Sequence, residues 1–295
     1  MSSSNCSTAC RLSEVLEELY RKYNRFELIK PDPLQFVYNY SQPRDMELTG
    51  FLASALAYGR VQQIEKSVTN LLSRMGQSPY EFVINLDKSA EKKLTGFKHR
   101  FNTADDIVAL LKLLRDVLRR HGSIENFFAA GLEPEDTNIV NALSRFCGGL
   151  LSKYERDNDT PAPKGLRYLL SDPANGSACK RLNLFLRWMV RDDDVDSGIW
   201  KSVDKSKLIV PVDTHIARLC KILALYSRKT VSLAAAIEIT ESFAKIEPAD
   251  PVKYDFALSR IGIVEDCNGR YRLRCEDCGL LVFCKMREDF AVERL

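Results

Sequence analysis

Apolar residues recur every three or four positions along most of this 295-residue chain, and nowhere do they alternate with polar residues over a useful length. That period is helical, so the expected fold class is all-α with strands minor. Leu12, Val15, Leu16, Leu19, Tyr20 and Tyr23 form one such stripe. Further helices are predicted over 45–58, over 61–75 with a stop at Gly76 and Pro79, over 107–118, and over 137–154 behind a cap at Asp136 or Thr137. After Leu166 to Leu170, the loop SDPANGS turns into a helix over 178–190, whose apolar face carries Leu182, Phe185, Leu186 and Met189. Helices over 216–225 and 232–246 follow. The last is expected to open at Asp250 and Pro251, a good N-cap followed by a residue suited to the first turn. The polar stretch ERDNDTPAPKG, 155–165, reads either as a domain linker or as a long surface loop. The charged run 191–207 is expected to loop out between its flanking helices.

Composition narrows the class further. Hydrophobic residues are 45% and charged residues 28%, which excludes a wholly disordered, collagen-like or coiled-coil chain. No apolar run approaches the ~18–20 residues of a membrane-spanning helix, and the polar start MSSSNCSTACRLSE lacks the pattern of a secretion signal. A cytoplasmic, membrane-free, monomeric protein is expected. The net charge is only +3, from 43 basic and 40 acidic residues, so a nucleic-acid partner would need a local patch. Nine cysteines, an odd number, point to reduced thiols or metal ligation rather than a disulfide scaffold.

Chemistry concentrates at a few places. Cys267, Cys275, Cys278 and Cys284 follow the spacing C-x7-C-x2-C-x5-C. Four thiolates in one short loop suit a zinc ion or an iron–sulfur cluster. The single CxxC pair, where a zinc ribbon would have two, favours a 4Fe–4S cluster, with zinc as second choice. In PVDTH, Asp213 stands at the start of an amphipathic helix, where a plain helix cap is the simplest role. In GSACKR, the turn at Gly176, Ser177 and Ala178 leaves free backbone N–H groups at a helix start, suited to a phosphate. Lys180 and Arg181 oppose the helix dipole there, so the pair marks either an anion site or an ordinary surface. Tyr58 and Arg60 end an apolar helix and either line a pocket or serve its C-terminus. Lys92, Lys93, Lys98, His99 and Arg100 either touch phosphates or form a solvated face. Trp188 and Trp200 are core or stacking residues. His215 either lines a site or makes a structural hydrogen bond.

The segments PVDTHIARLCKIL and DPVKYDFALSRIG, followed by the four cysteines, resemble the helix-hairpin-helix–Gly/Pro–Asp superfamily of DNA glycosylases over roughly 120 residues. The stretches DMELTGFLASALAYGRV and GSACKRLNLFLRWMVR resemble an uncharacterised bacterial conserved-domain family (domain of unknown function 2400). The glycosylase resemblance implies a two-lobed helical fold with a C-terminal four-cysteine loop. It matches Asp213 to the catalytic Asp, Lys180 to the lysine nucleophile of the bifunctional members, and the four cysteines to the cluster ligands. Three features depart from the pattern. Lys180 and Asp213 are unusually far apart, SDPANGSACK replaces the Leu-Pro-Gly-Val-Gly hairpin, and the first cysteine gap is one residue longer.

The implied organisation is a disordered 1–11, an N-terminal helical region 12–160, a hairpin and catalytic-Asp region 161–266, and a metal loop and tail 267–295. The implied activity is base-excision repair of DNA: a glycosylase with AP lyase activity. An amine nucleophile must first shed its proton, which burial or a cationic neighbour such as Arg181 favours. An ionised carboxylate then stabilises positive charge on the sugar, and the damaged base flips into a pocket bordered by Tyr58, Arg60, Trp188 and His215. Two other functions fit the same scaffold: a non-catalytic nucleic-acid binder, and an interaction or redox module.

Overall fold

A computed structural model describes residues 8–263, 265 and 267–284. Helix α1, Thr8–Tyr23, starts inside the segment expected to be disordered; residues 1–7 lie outside the described part. After a 3-10 segment at Pro33–Asn39 come α2, Pro43–Ala55, and α3, Val61–Met75. Gly76 ends α3 at φ 82°, the conformation for which glycine has least penalty. Two short helices follow, α4 (Pro79–Ile84) and α5 (Lys88–Lys93), capped by Ser78 and Asp87. A two-residue-per-strand hairpin, β1 (Lys98–His99) and β2 (Asn102–Thr103), pairs Lys98 with Thr103 and His99 with Asn102.

Helix α6, Ala104–His121, is opened by a capping box between Thr103 and Asp106. Then come α7, Ile124–Ala129, and α8, Val140–Asn158. Asp136 does not cap α8 as expected. Its carboxylate instead accepts from the Glu133 amide, Asn141 and Arg145, and the helix starts later, behind Ile139. The polar stretch at 155–165 is partly helical, since α8 runs through it to Asn158 and α9, Lys164–Leu169, begins before it ends. The second half continues with α10, Lys180–Val190, α11, Thr214–Ile222, α12, Leu233–Ala244, and α13, Asp255–Ile263. The last starts later than predicted because Asp250 is held by Arg191 and caps nothing.

The fold is mostly helical, and one hydrophobic cluster runs through both halves. Its centre is the crossing of α2 and α10, with Phe51 edge-on to Phe185 at 5.1 Å and Phe185 edge-on to Trp200 at 5.1 Å. On one side α6 collects α4, α7, α8 and α9. On the other, α13 packs against α11 and α1. Among the described residues, no helix is long and apolar enough to cross a membrane.

Candidate functional site

Lys180 is the first residue of α10, and Cys179 before it is left-handed at φ 48°. That is why the helix begins two residues later than the apolar period suggested. Gly176, at φ 77°, and a bond from the Cys179 amide to the Ser177 hydroxyl (3.2 Å) shape the turn. No side chain caps α10, so its first-turn amides face the loop without a side-chain acceptor. The Lys180 amine is half-buried and lies 3.4 Å from the Ala57 carbonyl oxygen.

Arg181 is not the surface cation the sequence suggested. It is 8% exposed, and its guanidinium donates to the carbonyls of Ala55 (2.8 Å) and Tyr168 and to the Ser171 hydroxyl (3.0 Å). It also lies over the rings of Tyr168 (4.0 Å) and Tyr58 (5.1 Å). Its charge is therefore enclosed by carbonyl oxygens and aromatic faces, leaving Lys180 as the accessible cation of the pair.

Asp213 adopts the plain role anticipated for it. It is the N-cap of α11, and Oδ1 accepts from the amides of His215 and Ile216, both at 2.9 Å. His215 stands beside Gly262 of α13; a Cβ there would lie 2.8 Å from His215 Nδ1, so glycine lets the two helices close on the ring. That Nδ1 is buried without a hydrogen-bond partner among the described residues. Among the described residues no hydrogen bond or ion pair joins Lys180 to Asp213. They are related through α10. Lys180 and Arg187 are seven residues apart, two turns along one face. Arg187 pairs with Asp255 at 2.5 Å, and Asp255 lies within the electrostatic reach of Asp213.

Arg187 belongs to a buried ionic network that sequence polarity misrepresented. The run 191–207 does not loop out: Val195, Asp196 and Trp200 are among the most buried residues of the chain. Arg187 Nε meets Asp196 at 3.2 Å, and Arg191 holds Asp196 (2.6 Å), Asp193 (2.8 Å) and Asp250 (3.0 Å). Burial pushes the Asp196 and Asp255 carboxyls up to about 6, against the pull of the guanidiniums. Burial works against the charge of Arg187 and Arg191 too, but the facing carboxylates outweigh it and hold both cationic. Arg187 Nη2 and Asp255 Oδ1 remain without partners among the described residues.

The other predicted pocket residues separate. Trp188 is fully buried in the core. Trp200 is likewise buried, donating to Glu47 Oε1 at 2.8 Å. Tyr58 is half-buried and donates to Asn102 Oδ1 (2.5 Å), while Arg60 is exposed in front of α3.

A model of the family described as a protein of unknown function (DUF2400) matches residues 32–264. The chain belongs to this family. No curated protein and no solved structure matches the chain. The DUF2400 span contains Lys180, Asp213 and the whole ionic network, and it stops just before the first cysteine of the C-terminal loop.

Beyond the DUF2400 span, the loop lies against α11 and α13 through two 3-10 turns, Leu273–Asp277 and Leu281–Phe283. Cys267, Cys275, Cys278 and Cys284 border one small cavity of about 30 Å3, walled by Leu219, Ile222, Leu223 and Ile261. Among the described residues no group of three or more His, Cys, Asp and Glu side chains is arranged to hold a metal ion. The donor set still suits a cluster. It offers four thiols on one apolar cavity, and the Arg272 amide donates to Cys275 Sγ at 3.3 Å. Burial and, beyond it, the three other thiols push the Cys278 thiol up, while an amide bond at Leu280 offsets part of that. The Cys278 thiol therefore resists ionisation until a cation joins it.

Proposed function

We propose that this chain is a DNA base-excision glycosylase with AP lyase activity, using Lys180 as nucleophile and Asp213 as electrostatic partner. The observation that carries the reading is the Lys180 amine: half-buried at the head of an uncapped helix, beside Arg181, and paired with no carboxylate among the described residues. Held by the Ala57 carbonyl rather than by a carboxylate, the amine has no ion pair to break before it meets an electrophile. In the reaction, the Nζ lone pair forms a bond to C1′ as the glycosidic bond breaks and the base departs. Loss of a proton and ring opening give the imine, which can then eliminate the 3′ phosphate. Asp213 faces the developing positive charge with Oδ2, since both of its capping bonds fall on Oδ1.

The four cysteines, by the same proposal, hold a 4Fe–4S cluster, with zinc as the second choice. When bound, the cluster cross-links the C-terminal loop and has no part in the lysine chemistry. Cys267 already couples the loop to α11, because its carbonyl accepts from Arg218 at 3.2 Å. Anaerobically purified protein is expected to carry iron and sulfide. Stoichiometric zinc would assign the other metal, and absence of both would remove the proposal.

Borohydride trapping tests the reaction. Incubation with an abasic or damaged duplex and borohydride should give a covalent adduct, which Lys180→Gln abolishes while DNA binding persists. Asp213→Asn should keep the fold and slow trapping by roughly 10²–10³-fold, the usual effect of removing one preorganised electrostatic partner. Undiminished trapping by Lys180→Gln would assign the chemistry to another amine. A second reading, a non-catalytic nucleic-acid binder, draws on the cap at Asp213, which suffices to explain that residue without catalysis. It takes precedence if no lesion gives trapping.

A further inference from the structure

Three aromatic rings from distant parts of the chain meet on the surface beside Lys180. Phe101 and Tyr168 touch edge to face at 4.5 Å, and Tyr58 lies 5.4 Å from Phe101 and 4.9 Å from Tyr168. Phe101 is 51% exposed and Tyr168 36% exposed. A single exposed aromatic is ordinary. Here the rings are held in place from beneath. Arg181 lies under Tyr168 and Tyr58 with its donors fixed on backbone and Ser171. The hairpin carrying Phe101 is anchored by His99, whose ring meets Ser67 Oγ at 2.8 Å and the Tyr58 carbonyl at 3.1 Å. It is anchored again by Asn102, which donates to the Gly165 carbonyl of α9 at 3.0 Å.

The tip itself is constrained. Arg100 is left-handed, φ 55°, and folds back over Gly59, itself at φ 98°. A Cβ on Gly59 would lie 2.8 Å from the Arg100 guanidinium. This conformation points Phe101 outward while Arg100 stays 5.8 Å from the Tyr58 ring. A strained, non-glycine tip that exposes an aromatic is a feature to explain, not a default.

Several cations are exposed around the rings, while the nearby carboxylate of Asp106, which acts on Tyr58, is buried. Arg60, Lys98 and Arg100 are exposed on the two loops, and Lys164 stands one turn before Tyr168 on α9. None of them forms an ion pair among the described residues, whereas Lys153, for example, pairs with Asp116 and Asp157. Flat, exposed π-faces bordered by cations without counterions match a nucleic-acid strand, whose bases stack and whose phosphates supply the missing anions. A protein partner would call for a continuous apolar face, and this one is small and ringed by charge.

We propose that Phe101 and Tyr168 form a stacking site for an unpaired base of single-stranded DNA, with Arg60, Lys98, Arg100 and Lys164 holding the adjoining phosphates. The inference rests on the reading that the chain acts on DNA, and it assigns the face by which the strand is held beside Lys180.

Binding of a fluorescently labelled oligo(dT) strand and of the same strand carrying one 2-aminopurine tests it, with full-length protein at fixed salt. The wild type should bind the single strand more tightly than its duplex and quench the 2-aminopurine. Phe101→Ala and Tyr168→Ala should each weaken strand binding roughly five- to hundredfold and lose quenching. Phe101→Trp should retain both, and thermal melting should confirm that the variants fold. No strand binding by the wild type, or alanine variants that bind and quench as it does, would overturn the platform. Borohydride trapping separates this from the reaction. Quenching without any adduct leaves the platform and ends the lysine chemistry, whereas an adduct with unchanged alanine variants does the reverse.

Discussion

Two regions of this molecule are built largely from charged residues, and they treat charge in opposite ways. Between α10 and α13, Arg187 and Arg191 are buried with Asp193, Asp196, Asp250 and Asp255. Every charged side chain there faces one of opposite sign. Around the hairpin tip, Arg60, Lys98, Arg100 and Lys164 lie open to water, and none of them forms an ion pair among the described residues. The first arrangement matches each buried charge with one of opposite sign inside the protein. The second is electrostatically incomplete, and an anion from outside is what would complete it. Burial sets the difference: an ion inside the protein must be matched at once, because its lost hydration costs several kcal/mol, whereas a surface cation can wait for a partner.

The largest effect is expected from breaking the closed network. Arg191→Met leaves Asp196 and Asp250 buried without their main partner, and should lower unfolding free energy by about 3–5 kcal/mol in denaturant titrations. A loss under about 1 kcal/mol would mean that the region is solvated and the contrast false. Next in size, Lys98→Gln and Arg100→Gln should leave stability within about 0.5 kcal/mol and weaken DNA binding regardless of sequence. Each should reduce the slope of log affinity against log salt by roughly 0.7–0.9. Unchanged slopes would show that these cations touch no phosphate.

The smallest effects are pH-dependent and have opposite signs in the two regions. Asp196 and Asp255, raised to about 6, hold protons longer in the folded state. Their contribution is complete below the ordinary carboxyl value of 3.8 and is lost as pH rises through 6. His99 is shifted down, by burial first and then by Arg100 and Arg181, so its contribution is present above 6.5 and is lost on acidification below that value. Stability measured across pH 4–8 in His99→Gln should lose the acid-side component and keep the other. A profile identical to wild type would detach the hairpin anchor from His99.

Much of the architecture is legible from local signals. The limits of α3 follow from the period and from Gly76, and the caps at Ser232 and Asp213 behave as short-range chemistry requires. Long-range pairing overrides such signals elsewhere. Asp250 looks like a cap until Arg191, 59 positions away, takes its carboxylate. The run 191–207 looks solvated because polarity in a sequence does not distinguish a charge in water from one neutralised by a distant partner. Arg181 reads as surface for the same reason. Phe101 and Tyr168 were invisible as a pair, since no periodicity links a hairpin tip to α9. Lys180, Asp213 and the cysteines were singled out by residue type and spacing alone, the kind of signal a sequence can carry. The ring cluster was illegible, since only tertiary placement assembles it.

Helix α1 meets the far end of the described chain: Glu17 takes Lys253 (2.5 Å) and Tyr254 (2.6 Å), and Tyr23 donates to Glu265. Glu17 and Lys253 are 236 positions apart. On the ribosome, at about 5–20 residues per second, α1 therefore waits roughly 12–47 s for the surface it covers to be made. Its apolar stripe of Leu12, Leu16 and Tyr23 stays available to chaperones for that interval, and α1 docks late although it is synthesised well before the α13 surface it covers.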